Sequence, residues 1–372
     1  MGGGHAHVAV VKAFQDHPPL PRARVTLLSK DSMTPYSGMV PGLIAGYYRF
    51  EDAHIDLAKL CHATNVAFKQ ATVTGIDLTR KEVQIDGDDS PVGFDVVSMN
   101  TGSTPSDEGV TGVREHGIPL KPIDQFLRRW ENVVERVARE LGAPARIVVV
   151  GGGAGGIEIA LAARHRLSSL AAEHDARDSG IRFVLVNAST QLLPSHNRWV
   201  RSKLDRILRE HRIECCLGQR VIEVSAQSAR CESGLRIPFD ELFWATHAAA
   251  PPWIRRSGLR VDSAGFLAVN ECFQSLSHAF VFGAGDVASA IHHPRPKSGV
   301  FAVRQGPLLA LNLRRALHGE RLISFRLQKQ SLSLIGTGDR RAVGSRGPLA
   351  FEGRWVWLLK DWIDRSWVRQ YA

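Results

Sequence analysis

The sequence predicts an α/β protein of two doubly wound, three-layer domains, one inserted in the other, with a C-terminal amphipathic helix. Three observations predict it: a β-branched run closing on a glycine turn, a second glycine turn at the start, and a late apolar strand ending in Gly-Asp. Length agrees, because 372 residues exceed one ordinary core and two domains are the default. An apolar fraction of 44% and a charged fraction of 23% are those of a globular chain. There is no run of about 18 apolar residues and no basic-then-apolar leader, which argues against a spanning helix and a signal peptide. The net charge of +10 is spread along the chain without the basic-plus-aromatic spacing of a nucleic-acid module, so no nucleic-acid partner is expected. Five cysteines without C-x-x-C or zinc-type spacing point to a reducing compartment, the cytoplasm, and to no metal site.

The strongest element is "ARIVVVGGGAGGIEIALAARHR". Ile147 to Val150 read as a buried parallel strand, and Gly151-x-Gly153-x-x-Gly156 follows at once, with a helical period from Ile157 to Arg164. Gly151 permits the tight turn, Gly153 lets backbone approach a pyrophosphate, and Gly156 lets helix pack on strand. The helix N-terminus offers free N–H groups and a positive dipole. The second strand, "IRFVLVNAST", ends on Asn187 where an acid would bind an adenosine ribose, which leaves NADH against NADPH open. Glu158 falls in the first helical turn, either as a cofactor contact or as a carboxylate compensating the dipole.

The opening "MGGGHAHVAVVKAF" repeats the pattern with Gly2, Gly4 and His7, and "ARVTLLSKDS" follows at second-strand distance with Ser29 in the acidic place. Two such folds point to a flavin in one and a nicotinamide in the other. The third element, "SLSHAFVFGAGDVAS", is a short strand closing on Gly283-Ala284-Gly285-Asp286. In two-dinucleotide flavoproteins the Asp of such a turn meets the ribityl chain of FAD. "FDVVSMNTGSTP" and "FDELFWATHAAAP" are each a strand and a small-residue turn, where such folds cross between domains.

This order of motifs resembles the pyridine nucleotide–disulfide oxidoreductase superfamily and its type II NADH dehydrogenase-like branch. "TPYSGMVPGLIAGYY", "LKPIDQF", "PRPKSGVFAVRQGP" and "TGDRRAVGSRGP" look like the FAD-dependent oxidoreductase found fused to selenophosphate synthetase in some bacteria. The resemblance implies Rossmann-like domains: an FAD domain in two pieces, 1–118 and 268–345, an NAD(P) domain at 119–267, and a helical segment at 346–372. The implied FAD contacts are Gly2, Gly4, His7, Ser29, Thr34, Pro35, Tyr36, Gly38, Thr101, Gly102, Gly285, Asp286 and Gln305. The implied NAD(P) contacts are Gly151, Gly153, Gly156, Glu158, Asn187 and Thr246. Histidine at the third glycine position matches the family pattern. Family members carry a strand before "GGGHAHV"; losing about four aliphatic side chains would forfeit roughly 6–12 kcal/mol of burial, so the natural start is expected upstream.

The implied chemistry is hydride transfer from NADH or NADPH to FAD, then to a small-molecule acceptor. Lys121 is the candidate for placing positive charge near reduced flavin; otherwise it is a surface lysine before a proline. Disulfide reductases use paired cysteines, and the adjacent Cys215 and Cys216 read as thiols on opposite faces of a strand. A quinone motif A-Q-x-A-x-Q meets Gly299, Val300, Phe301, Ala302, Val303 and Arg304 here, with both glutamines replaced and Gln305 next. The C-terminal "GRWVWLLKDWIDRSWVRQYA" argues for a quinone. Trp355, Leu358, Leu359, Trp362 and Ile363 share one helical face, with Lys360, Asp361, Asp364, Arg365 and Arg369 largely off it. Residues 354–372 are thus expected on the cytoplasmic face of the inner membrane, or packed on the domain or on the second subunit of a homodimer. The acceptor is a quinone or an oxidised selenium or sulfur species, with a selenophosphate synthetase as partner. The rival is a flavin-binding sensor or scaffold of selenium metabolism without turnover.

Overall fold

Ile147, Val148 and Val149 are wholly buried, and the larger sheet is built around them. The computed structural model describes residues 1–371 except 18–22, 107–108, 141–142, 175–179, 247, 292–296, 298 and 326–331. Residues 294–296 and 298 of the family-like segment lie outside that set.

The elements that position the site are, in the first part, α1 (His5–Asp16), β1 (Thr26–Ser29), β2 (Ala67–Gln70) and β3 (Val97–Met99). The middle of the chain contributes β4 (Ile118–Pro119), α2 (Ile123–Arg139), β5 (Ala145–Val150), α3 (Ala154–Glu173), β6 (Ile181–Asn187), α4 (Arg198–Glu210), β7 (Ile213–Leu217) and β8 (Glu241–Trp244). The last part adds β9 (Val281–Gly283), α5 (Gly299–Leu317), β10 (Ser333–Gly336), β11 (Ala342–Arg346), β12 (Leu349–Gly353) and α6 (Arg354–Arg369).

The middle strands form a five-stranded parallel sheet in the order β4-β8-β5-β6-β7. Parallel strands covered on both faces need apolar side chains on both, which is why β5 reads as an unbroken Ile-Val run. On one face α2 packs Phe126 and Trp130 edge-on against Phe243 of β8, with ring centroids 5.3 and 6.0 Å apart. Cys215 and Cys216 lie on β7 opposite Leu185 and Val186. Cys215 packs in the larger core and Cys216 in the smaller one across the sheet, so they face apart.

In the other unit β1 pairs with β2 and β3 with β9, each in parallel. Between the two pairs lies the main chain of Met1 and Gly2: Gly2 donates to Leu28 O at 2.7 Å, and Asn100 donates to Met1 O at 2.8 Å. Helices α1 and α5 pack closely because Gly306 lacks a side chain; a Cβ there would stand 2.6 Å from Ala9 Cβ.

The antiparallel strands β10-β11-β12 lead into α6, whose orientation the sequence left open. Helix α6 buries Val356, Asp364, Trp367 and Val368 and leaves Trp355, Leu358 and Trp362 at 55%, 52% and 66% exposure. The apolar stripe faces out and the charged residues Lys360 and Asp364 face in. The reason lies at the site, where buried partners are waiting for those charges.

Candidate functional site

One residue explains three glycines. Asn100, just past β3, accepts from the Ala6 and His7 N–H groups through Oδ1 at 3.0 and 3.2 Å and donates from Nδ2 to Ala284 O at 2.7 Å. It thereby ties the first glycine turn to the Gly-Asp turn. A Cβ on Gly2 would lie 2.5 Å from Asn100 O, on Gly4 2.4 Å from Asn100 Oδ1, and on Gly285 2.4 Å from Asn100 Nδ2. Gly2 and Gly285 also have φ of +83° and +69°, which glycine adopts freely.

His7 is placed differently from expectation. Both ring nitrogens are engaged inside the protein, with Gly2 O at 2.7 Å and Ser98 Oγ at 2.8 Å. Burial holds its pKa well below the usual imidazole value, so it is a neutral tie between turn and strand. Gln305 likewise spends Oε1 on the Gly285 N–H at 2.7 Å. Ser29 is buried at the end of β1, its Oγ 3.1 Å from where a Gly3 Cβ would stand.

The residues present fit FAD. Thr101 Oγ1 is buried without a partner, and beside it Gly102, at φ +75°, has nothing within 4 Å of its missing Cβ. An orphaned hydroxyl beside open backbone is a cradle for a polar ligand chain. Next to it Asp286 Oδ2 accepts from Lys121 Nζ at 2.6 Å and from Ser103 Oγ at 3.2 Å. Lys121 is therefore not a free surface cation. A second cation, which sequence reasoning missed, is Lys297: its Nζ lies 3.9 Å over the Phe266 ring and 2.5 Å from Ala288 O. Burial pulls its pKa down to about 8, against the pull of Asp286 and Asp262. Thr34 and Pro35 lie on a short strand (Met33–Pro35). Tyr36 beyond them stacks on Trp367 at 4.4 Å, and His5 meets Tyr36 edge-on at 5.2 Å.

The nicotinamide-type turn is equally constrained. Gly151, at φ +127°, would put a Cβ 2.4 Å from Ala245 O, and Gly156 would put one 2.0 Å from Gly151 O. Gly153 and Gly155 have nothing within 4 Å, so the face of the turn toward a pyrophosphate is open. Thr246 Oγ1 donates to Ser106 O at 2.7 Å, joined there by Trp244 Nε1 at 2.8 Å. Asn187 turns its amide back into the protein, accepting from the Gly152 N–H at 3.0 Å.

Glu158 does something the sequence did not disclose. Its Oε1 accepts the Gly336 N–H at 2.8 Å, and it lies close enough to Lys360 and Asp364 of α6 to feel both charges. Burial pushes the Glu158 carboxyl up to about 7, opposed by Lys360 and the Gly336 N–H and reinforced by Asp364. Lys360 donates to Asp364 Oδ2 at 2.6 Å and to Gly38 O at 2.5 Å. Burial alone would lower the Lys360 pKa, but Asp364 and Glu158 hold it above the ordinary lysine value. Asp364 also faces Tyr36, whose pKa burial drives upward. One buried ammonium and two carboxyls thus converge on the Thr34–Gly38 stretch. Nearby, Tyr48 donates to Asp361 Oδ1 at 2.7 Å.

Two strand–glycine-turn–helix units, one in each parallel-sheet region, and a Gly-Asp turn beside the first are the architecture of enzymes that pass a hydride from NAD(P)H to FAD. The chain belongs to the pyridine nucleotide-disulphide oxidoreductase family, whose family model matches residues 1–306. It is 22% identical over 384 residues to the type II NADH:quinone oxidoreductase of Staphylococcus epidermidis, covering 98% of this chain and 93% of that protein. The type II NADH:quinone oxidoreductase of Staphylococcus aureus is 20% identical with the same coverage. Among solved structures, NDH2 of Plasmodium falciparum in complex with NADH superposes with a TM-score of 0.81 at 14% identity, covering 100% of this chain and 97% of that one. The sulfide:quinone oxidoreductase of Aquifex aeolicus superposes with a TM-score of 0.79 at 18% identity, covering 98% and 89%. These likenesses extend to the fold of α6, well past the family match.

Proposed function

We propose that this FAD-dependent NAD(P)H oxidoreductase passes its electrons to a quinone at a membrane surface. The observation that carries the reading is α6, which bears Trp355, Leu358 and Trp362 on its outer face and Lys360 and Asp364 on its inner one. A single helix thus borders both an apolar surface and the buried charges beside the Thr34–Gly38 stretch. Leu349 on the neighbouring hairpin, 67% exposed, extends the apolar face, and Trp with Arg beside it suits the lipid interface. No helix among the described residues is long and apolar enough to cross a membrane, so the contact is peripheral.

FAD supplies hydride acceptance and two-electron storage when bound. The chain's own residues do the rest. Gly151, Gly153 and the α3 N-terminus would seat the pyrophosphate of the nicotinamide cofactor. Lys121 and Lys297, both within electrostatic reach of Asp286, would supply positive charge that favours the reduced cofactor. Reducing a quinone to a quinol takes two electrons and two protons; NAD(P)H brings both electrons and one proton. Glu158, titrating near 7, can hold the other, with Lys360 and Asp364 stabilising either state.

The test is anaerobic bleaching of the flavin by NADH or NADPH, then addition of a short-chain quinone. Reoxidation within seconds is expected; a flavin that stays reduced with quinone but is reoxidised by selenite or a polysulfide sinks the quinone reading. Because the protonated Glu158 is the proton donor, quinone turnover is expected to fall as pH rises through about 7, and Glu158→Gln should be slow and flat across that range. Vesicles of anionic lipid should sediment with the protein, and replacing Trp355, Leu358 and Trp362 by serine should weaken that binding roughly tenfold or more.

A further inference from the structure

We infer that the loop at the end of β6 is a site for an adenosine 2′-phosphate, and that the protein takes NADPH in preference to NADH. The inference rests on the NAD(P)H reading above and names which of the two nucleotides is used.

The last residue of the second strand in such a sheet meets the adenosine ribose, where a carboxylate reads two hydroxyls and repels a phosphate. Here the residue is Asn187, and its amide is fully used. Oδ1 takes the Gly152 N–H at 3.0 Å, and Nδ2 donates to Ser189 O at 3.0 Å and Gln191 O at 3.2 Å. The side chain builds the loop and is not left to read a hydroxyl. From Ile181 to Leu204 the chain has no acidic residue and four basic ones, Arg182, Arg198, Arg201 and Lys203.

One guanidinium group stands by this loop, and a second arginine follows the turn laid along it. Arg201 of α4 donates to Gln191 Oε1, and its Nε–H is buried with no partner. An orphaned cationic donor beside a polar loop is unfavourable unless a ligand takes it up. Arg220 comes from the other side. Gln219 donates to Asn187 O at 2.9 Å and Gly218 to Ser189 O at 3.1 Å, which lays this turn along the loop. The only acid near the Arg220 guanidinium among the described ion pairs is Glu232, 3.9 Å away and well exposed. The Ser189 hydroxyl accepts from Gln191 N–H at 3.2 Å and keeps its own proton to donate. The Arg201 guanidinium, a serine hydroxyl, an arginine on the adjoining turn and no carboxylate from Ile181 to Leu204 suit a phosphate dianion, for which arginine's forked donors are well shaped.

The test is calorimetric titration of the purified flavoprotein with adenosine 2′,5′-bisphosphate and with adenosine 5′-monophosphate. The bisphosphate is expected to bind about tenfold more tightly or better, with an advantage that shrinks as salt is raised. Arg201→Gln should erase most of that difference. Asn187→Asp keeps an acceptor for the Gly152 N–H while adding a negative charge, and should reverse the preference. Equal affinities in the wild type, a tighter monophosphate, or an Arg201→Gln variant that weakens both ligands alike would overturn the inference. Neither ligand carries a nicotinamide, so the result does not depend on hydride transfer. A bisphosphate advantage without flavin bleaching would count against the proposed function alone, and bleaching without the advantage against this inference alone.

Discussion

Alanine at Gly156 is expected to abolish reduction of the flavin by NAD(P)H while the flavin itself stays bound. The added Cβ would stand 2.0 Å from the Gly151 carbonyl oxygen, which is backbone held by β5 and cannot swing aside as a side-chain tip would. Either α3 moves off the strand end or the turn opens, and each displaces the N–H groups that seat the pyrophosphate. Misplacement on the order of 1 Å commonly costs about a hundredfold in rate. Stopped-flow flavin reduction by both nucleotides, with flavin content as the control, checks it. A variant that bleached at the wild-type rate would show that this turn is not the nucleotide's seat.

The second large effect belongs to Lys360. Replacing it by methionine leaves Glu158 and Asp364 buried without their cation, and breaking a buried pair from one side typically costs about 3–5 kcal/mol. For a chain of this size that is a fall of roughly 4–6 °C in Tm. The deficit depends on pH. The Glu158 pKa lies above its unfolded value, so the stability tied to its proton is complete below about 4.5 and is lost as pH rises through about 7. Without the ammonium the ionised form is less tolerable, and the gap between Lys360→Met and wild type should widen from pH 6 to pH 8. Adding Asp364→Asn should recover part of the loss. Thermal melts at the two pH values decide it, and a surface-like change of under about 1 kcal/mol at both would refute the buried-triad account.

What the sequence disclosed, and what it hid, divides along a physical line. The β5 run and the Gly151-Gly153-Gly156 spacing were legible because backbone geometry restricts residue type locally: only valine-like side chains fill a two-faced strand, and only glycine fits beside Ala245 O. The role of Asn100 was not legible. Nothing in its neighbourhood marks it, yet its amide joins segments 94 and 184 residues away. Glu158 was visible as an acid in the first helical turn, but its partners Gly336 and Lys360 come from the far end of the chain. The orientation of α6 was not legible either, since helical periodicity reports which residues share a face and leaves open which face is covered.

That mixed burial changes what substitution data on this protein will look like. In an ordinary surface helix a saturation scan finds apolar positions intolerant and charged positions free. Along α6 the pattern should be partly exchanged: Val356, Trp367 and Val368 should stay intolerant, but polar replacements at Trp355, Leu358 and Trp362 should leave the melting point intact and improve solubility, while charge-removing ones at Lys360 and Asp364 should be depleted. A hydropathy-guided redesign that made the helix look more conventional would improve handling at the outer stripe and damage the enzyme at the inner one.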